Sequence, residues 1–89
     1  MKGRSLVARN VRRIRVAKGI SQERLAFDSG VDRSYLGGIE RQTENPTVDL
    51  LDRLATTLEV PLAELFLEAG RTERSSVGLK RGRRRINPG

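Results

Sequence analysis

QERLAFDSGVDRSYLGGIER, residues 22–41, is the stretch on which the fold turns. It opens just after Ser21, an N-cap residue, with Gln22 and Glu23 in a first turn and Leu25 and Ala26 as apolar anchors. A full capping box needs Glu or Gln at position 24, where Arg24 stands. This helix ends near Ser29–Gly30, and Gly30 is suited to the positive φ of a tight turn. Asp32 then caps a second helix, Arg33 to about Arg41. Leu36 and Ile39, three apart, hold that helix on a core so that its opposite face projects outward. Ala26 is small enough for the two helices to approach closely. Gly37 and Gly38 each cost about 1 kcal/mol relative to Ala in a helix interior, so the pair requires a reason.

The rest of the chain also reads as helix. Residues 5–18 place Val7, Val11 and Ile14 on one stripe, with Ser5 as cap and Gly19 as stop. QTENPT, residues 42–47, is a loop in which Pro46 holds Asn45 extended. Thr47 caps a fourth helix that carries Leu50, Leu51, Leu54, Ala55 and Leu58 inward. Val60–Pro61 opens a fifth, with Pro61 at its first position, Leu62, Leu65 and Phe66 apolar, and Gly70 as its end. No strand-like alternation or internal repeat is present. The expected fold is all-α: a five-helix domain over residues 1–70, followed by a basic tail, 71–89, too poor in apolar residues to fold alone.

Composition narrows the function classes. The chain of 89 residues has room for one small domain, and with 3% aromatics its core must be built from Leu, Val, Ile and Ala. It has neither Cys nor His, which removes disulfides, thiolate metal sites and the usual nucleophile–base pairs. An enzyme is therefore not expected, nor a metal or cofactor. No apolar run reaches the roughly 18–20 residues of a membrane span, and the first residues lack the apolar stretch of a signal peptide. The net charge of +7 is split into +7 over residues 1–20, −6 over 21–70 and +6 over 71–89. Basic ends around an acidic middle point to a polyanionic partner, although basic termini also serve as solubilising tails.

Two helices joined at a glycine form the helix-turn-helix arrangement, whose second helix enters the DNA major groove. An ordinary αα-hairpin needs similar anchors. Three strings in order, IRVAKGISQERLA (Ile14–Ala26), YLGGIER (Tyr35–Arg41) and NPTVDLLDRLATTLEVPLAELF (Asn45–Phe66), carry a more specific likeness. With them the chain resembles the lambda-repressor-like, Cro–CI-type (XRE) helix-turn-helix regulators. The resemblance implies a five-helix DNA-binding domain acting as a homodimer on a pseudo-palindromic operator in double-stranded DNA. It departs from the family at Gln42, where Gly is frequent after the Glu–Arg pair, and at Ser29, where an apolar residue is more usual.

Carried over position by position, the resemblance places Gln22 on a backbone phosphate and beside the first reading residue. Arg33 and Ser34 fall at the positions that reach base edges, Arg33 being suited to guanine O6 and N7. Gly38 stands where relatives read a base with a long side chain, so that contact is missing here, and Gly37–Gly38 suit instead a close approach of the backbone to the groove. Tyr35, Arg41 and Thr43 are phosphate candidates, with packing or plain solvation as their alternatives. Arg15 and Glu40 match a buried structural salt bridge between the first and third helices. Leu62, Leu65 and Phe66 match a dimer surface, although they are equally suited to the domain's own core. Arg9, Arg12 and Arg13 suit either flanking phosphates or water.

In the tail, Lys80, Arg81, Arg83, Arg84 and Arg85 suit a phosphate-binding or minor-groove arm, a segment that folds on a protein, or a solubilising end. The expected function is a cytoplasmic, nucleoid-associated transcriptional repressor or controller without a small-molecule effector domain. The rival is an antitoxin or anti-activator whose main partner is another protein.

Overall fold

The structure is a computed structural model and describes residues 2–69. Four α-helices and one 3-10 segment follow in order: α1 (Lys2–Ala17), α2 (Gln22–Ser29), α3 (Arg33–Glu40), α4 (Val48–Leu58) and the 3-10 segment Leu62–Phe66. No strand occurs among the described residues. The expected stop at Gly70 and the basic tail 71–89 lie outside them.

Each of the three expected internal caps is made by its side-chain oxygen. Ser21 accepts from the Arg24 N–H at 3.0 Å, Asp32 from Tyr35 at 3.0 Å and Thr47 from Leu50 at 3.1 Å. Around these starts, α1 packs on α3 and the 3-10 segment, while α2 packs on α3 and α4. Val11, Leu25, Leu36, Ile39, Leu54, Leu58 and Leu65 form the fully buried centre. Each such side chain contributes about 1.5–3 kcal/mol over its exposed state. That centre fixes α3 by its apolar side and leaves Arg33 and Ser34 at its start to solvent.

Two ends differ from the sequence expectation. α1 begins at Lys2, so Ser5 lies inside the helix and is not its cap. Burial of Val7 and Ala8 stabilises the first turns, and Lys2 reaches Glu68 at 3.8 Å. A serine costs a helix too little to halt it against that packing. The fifth element is a single short 3-10 segment, and Pro61 stands before it in extended conformation (ψ 150°). Its end is tied to α1. The Asn10 amide nitrogen lies 3.0 Å from the Leu65 carbonyl and 2.8 Å from that of Leu67. Those oxygens are turned toward Asn10, and the chain leaves the segment extended at Leu67 (ψ 136°).

Candidate nucleic-acid interface

The turn between α2 and α3 is fixed from three directions. Gly30 adopts φ 73°, and its N–H closes the end of α2 on the Phe27 carbonyl at 3.3 Å. Ser29 is buried at the position where the family favours an apolar residue. Its hydroxyl donates to the Leu25 carbonyl at 2.7 Å, which satisfies its polarity internally. From α4, Arg53 donates to the Gly30 carbonyl at 2.6 Å and the Ser29 carbonyl at 3.2 Å. Arg53 thus occupies backbone oxygens that the turn leaves without helical partners. In the sequence it reads as one more exposed helical arginine, because its targets are 23 and 24 residues away.

A second anchor joins α1, α2 and α3. Arg15 donates through Nε to Glu40 Oε2 at 2.8 Å and through Nη2 to Oε1 at 3.0 Å, a two-point contact. Its Nη1 donates to the Ile20 carbonyl at 2.8 Å, and Gln22 Nε2 donates to Glu40 Oε1 at 3.0 Å. The side chains are 12% and 4% exposed. Burial alone would push the Glu40 carboxyl upward, but the hydrogen bonds from Arg15 and Gln22 outweigh it and hold it below the usual glutamate range. The Arg15 guanidinium is pushed up by its hydrogen bond to Glu40, against the opposing effect of burial. Gln22 is therefore braced on Glu40 at the first residue of α2.

The face that results gathers some of the expected residues and removes others. Arg33 and Ser34 are exposed at the start of α3, and Arg33 lies 3.5 Å from Glu23 of α2. Arg41 is exposed at the end of α3. Tyr35 is half-buried and packs against the core, beside Leu50 and Arg53. Gly38 is not part of an open reading face. It is buried under the loop that follows, where a side-chain carbon would meet Glu44 Cγ at 2.5 Å and Thr43 Oγ1 at 3.1 Å. The Gly38 carbonyl accepts from the Thr43 N–H at 2.8 Å and from its hydroxyl at 3.1 Å. Thr43 thus spends its proton on seating the loop, although its oxygen can still accept.

Of the residues matched to a dimer surface, Leu65 is wholly buried in the domain's own core. Leu62 is half-buried, and Phe66 is 42% exposed. Arg9 and Arg13, which suit either flanking phosphates or water, have partners within the domain. Both donate to Asn10 Oδ1, at 3.3 and 3.0 Å, and Arg13 also pairs with Glu64 at 3.6 Å. Arg12 remains exposed. Asn10 itself had no signal in the sequence beyond its place on the inner side of α1, where a hydrophobic-periodicity reading passes over a polar residue.

The chain matches the helix-turn-helix family HTH_3 over residues 11–65. It is similar to the HTH-type transcriptional regulator SlrR of Bacillus subtilis (strain 168), with 47% identity over 68% of this chain and 41% of that protein. The chain therefore spans about two-fifths of that relative. Among solved structures it resembles the hypothetical transcription factor NHTF from Neisseria (35% identity, TM-score 0.78, 81% of this chain and 83% of the other). It also resembles the restriction-modification controller protein C.Esp1396I, seen as a tetramer with its natural 35-base-pair operator. That likeness has 36% identity and a TM-score of 0.65, covering 74% of this chain and 96% of the other. With its turn at Gly30, its capped α3 and this match over most of the folded region, the chain belongs to the HTH_3 (XRE) helix-turn-helix family.

Proposed function

We propose that this protein is a cytoplasmic transcriptional regulator that binds a pseudo-palindromic operator as a homodimer, with α3 in the major groove. The observation that carries the reading is the rigid α2–α3 pair. Its exposed edge presents Arg33, Ser34 and Arg41 on one helix beside Gln22 at the start of the other. Arg33 reads guanine through O6 and N7, Ser34 adds a weaker base contact, and Gln22 and Arg41 position the helix on phosphates. Phe66, with Leu62 beside it, is the apolar surface offered to a second copy. The folded unit extends over residues 1–70. Residues 71–89, with a charge of +6, add phosphate contacts that steepen the salt dependence by roughly 0.9 in log–log slope for each contact. The operator-bound controller protein, similar over nearly its whole length, supports this assignment.

The test is selection of bound duplexes from a random library at near-physiological salt. A pseudo-palindrome with half-sites about one helical turn apart is expected. Arg33→Ala should relax the preference at one base pair per half-site, a loss of about 1–3 kcal/mol of discrimination. Uniform weakening across all sequences would make Arg33 a phosphate contact. Salt-sensitive binding with no enriched sequence would overturn the regulator reading.

A further inference from the structure

Gly30 is the most permissive point between α2 and α3. A glycine has the widest choice of torsions in a chain, and its φ and ψ set the angle between the peptide before it and the peptide after it. The first of those peptides carries the Ser29 carbonyl and the second carries the Gly30 carbonyl. One guanidinium donates to both. Arg53 Nη2 lies 2.6 Å from the Gly30 oxygen and 3.2 Å from the Ser29 oxygen, with Nε 3.3 Å from the latter. A rigid planar fork that ties the two peptide planes flanking one Cα fixes that residue's torsions, here φ 73° and ψ 23°. Both oxygens also lie at the negative end of α2, where a cation is favoured.

The fork stands on a firm base, because Arg53 projects from the middle of α4 between the buried Leu51 and Leu54. By contrast, α3 takes its packing from α1 and α2. The Arg15–Glu40 contact holds the far end of α3. Freedom at Gly30 is therefore felt at the near end, where Arg33 and Ser34 stand exposed. A shift of about 0.5–1 Å there takes a hydrogen bond to a base edge out of range.

We propose that Arg53 is a positioning residue for DNA reading: by clamping the torsions of Gly30 from α4, it sets where the first turn of α3 meets the base edges. It acts through the backbone and not by touching DNA. This inference rests on the DNA-binding reading and adds to it a residue outside the DNA-facing set.

Arg53→Met keeps the apolar stem and removes the fork. With the operator selected by the wild-type protein, and well below the melting temperature, affinity should fall roughly 10-fold. Affinity for unrelated duplex and its salt slope rest on phosphates and should hold within about 2-fold. Arg53→Lys keeps the charge without the fork and should recover only a minor part of the loss. In an Arg33→Ala background, Arg53→Met should cost clearly less, because the main side chain that it positions is gone. In the free protein, amide signals from Gly30 to Tyr35 should shift or broaden in Arg53→Met while those of α1 stay in place.

A merely structural arginine would lower the melting temperature and leave the ratio of operator to unrelated-duplex affinity unchanged, which would overturn the proposal. Uniform weakening on all sequences with a shallower salt slope, or full recovery in Arg53→Lys, would overturn it in favour of a phosphate contact. If the wild-type protein selects no sequence, the regulator reading falls and the proposal with it. If it does select one and Arg53→Met binds that operator equally well, the proposal alone falls.

Discussion

Exchanging Arg15 and Glu40 for apolar residues tests what holds the α2–α3 unit to α1. In Arg15→Met, the carboxylate of Glu40, 4% exposed in the wild-type fold, keeps only Gln22 as a donor. Stranding one partner of a buried pair costs about 3–5 kcal/mol, and the surviving Gln22 bond places this case near the lower end. In Glu40→Leu, Arg15 retains the Ile20 carbonyl and some contact with water, so about 2–3 kcal/mol is expected. A folded unit of this size has a total stability of only about 3–10 kcal/mol, so either change leaves it close to unfolding. The double variant should lose far less than the sum, because no uncompensated charge remains.

Urea denaturation of all four proteins gives the coupling, expected at about 2–3 kcal/mol. The pH series adds an independent sign. Glu40 titrates below its ordinary value in the folded state, so its stabilisation is complete above the unfolded value of about 4.3. It is lost as pH falls through the lowered folded value. The gap between wild type and Arg15→Met should therefore narrow from about pH 5 downward. Additive losses below about 1 kcal/mol each, or a gap indifferent to acid, would refute a buried charge pair as the link.

Two further substitutions test the ends of the fold. Asn10→Ala removes the donor that faces the Leu6, Leu65 and Leu67 carbonyls, and should destabilise by about 2–4 kcal/mol. Amide exchange should show residues 62–67 opening first, and a change confined to α1 would contradict the role given to Asn10. Gln42 ends α3 at φ 68°, a conformation that costs a side-chain-bearing residue about 1–2 kcal/mol. Gln42→Gly recovers part of that against the greater freedom of Gly in the unfolded chain, so a gain of about 0.5–1 kcal/mol should appear in thermal unfolding.

What could be read in the sequence was whatever depends on near neighbours. Ser21, Asp32 and Thr47 each bond an N–H three residues away, and Gly30 and Gly19 turn the chain at their own φ. Such signals are complete within a few residues, so α2, α3 and α4 were placed with close boundaries. Arg15 and Glu40, 25 residues apart, were reached only through family likeness, since no local pattern marks two charges as partners. Asn10 and Arg53 bond carbonyls 55 to 57 and 23 to 24 residues away, and backbone oxygens leave no trace in residue identity. The expected fifth helix, a single 3-10 segment in the structure, is held at its end by this same Asn10.

The glycines show the same boundary within a single dipeptide. Composition flags Gly37–Gly38 as an energetic cost and cannot divide it. In three dimensions, Gly38 lets the Thr43–Glu44 loop close on α3, whereas Gly37 is buried beneath the side-chain ends of Arg41, Arg33 and Gln22. A side chain at residue 38 must displace that loop, whereas one at residue 37 meets only the far ends of flexible side chains, so replacing the two should move stability in opposite directions.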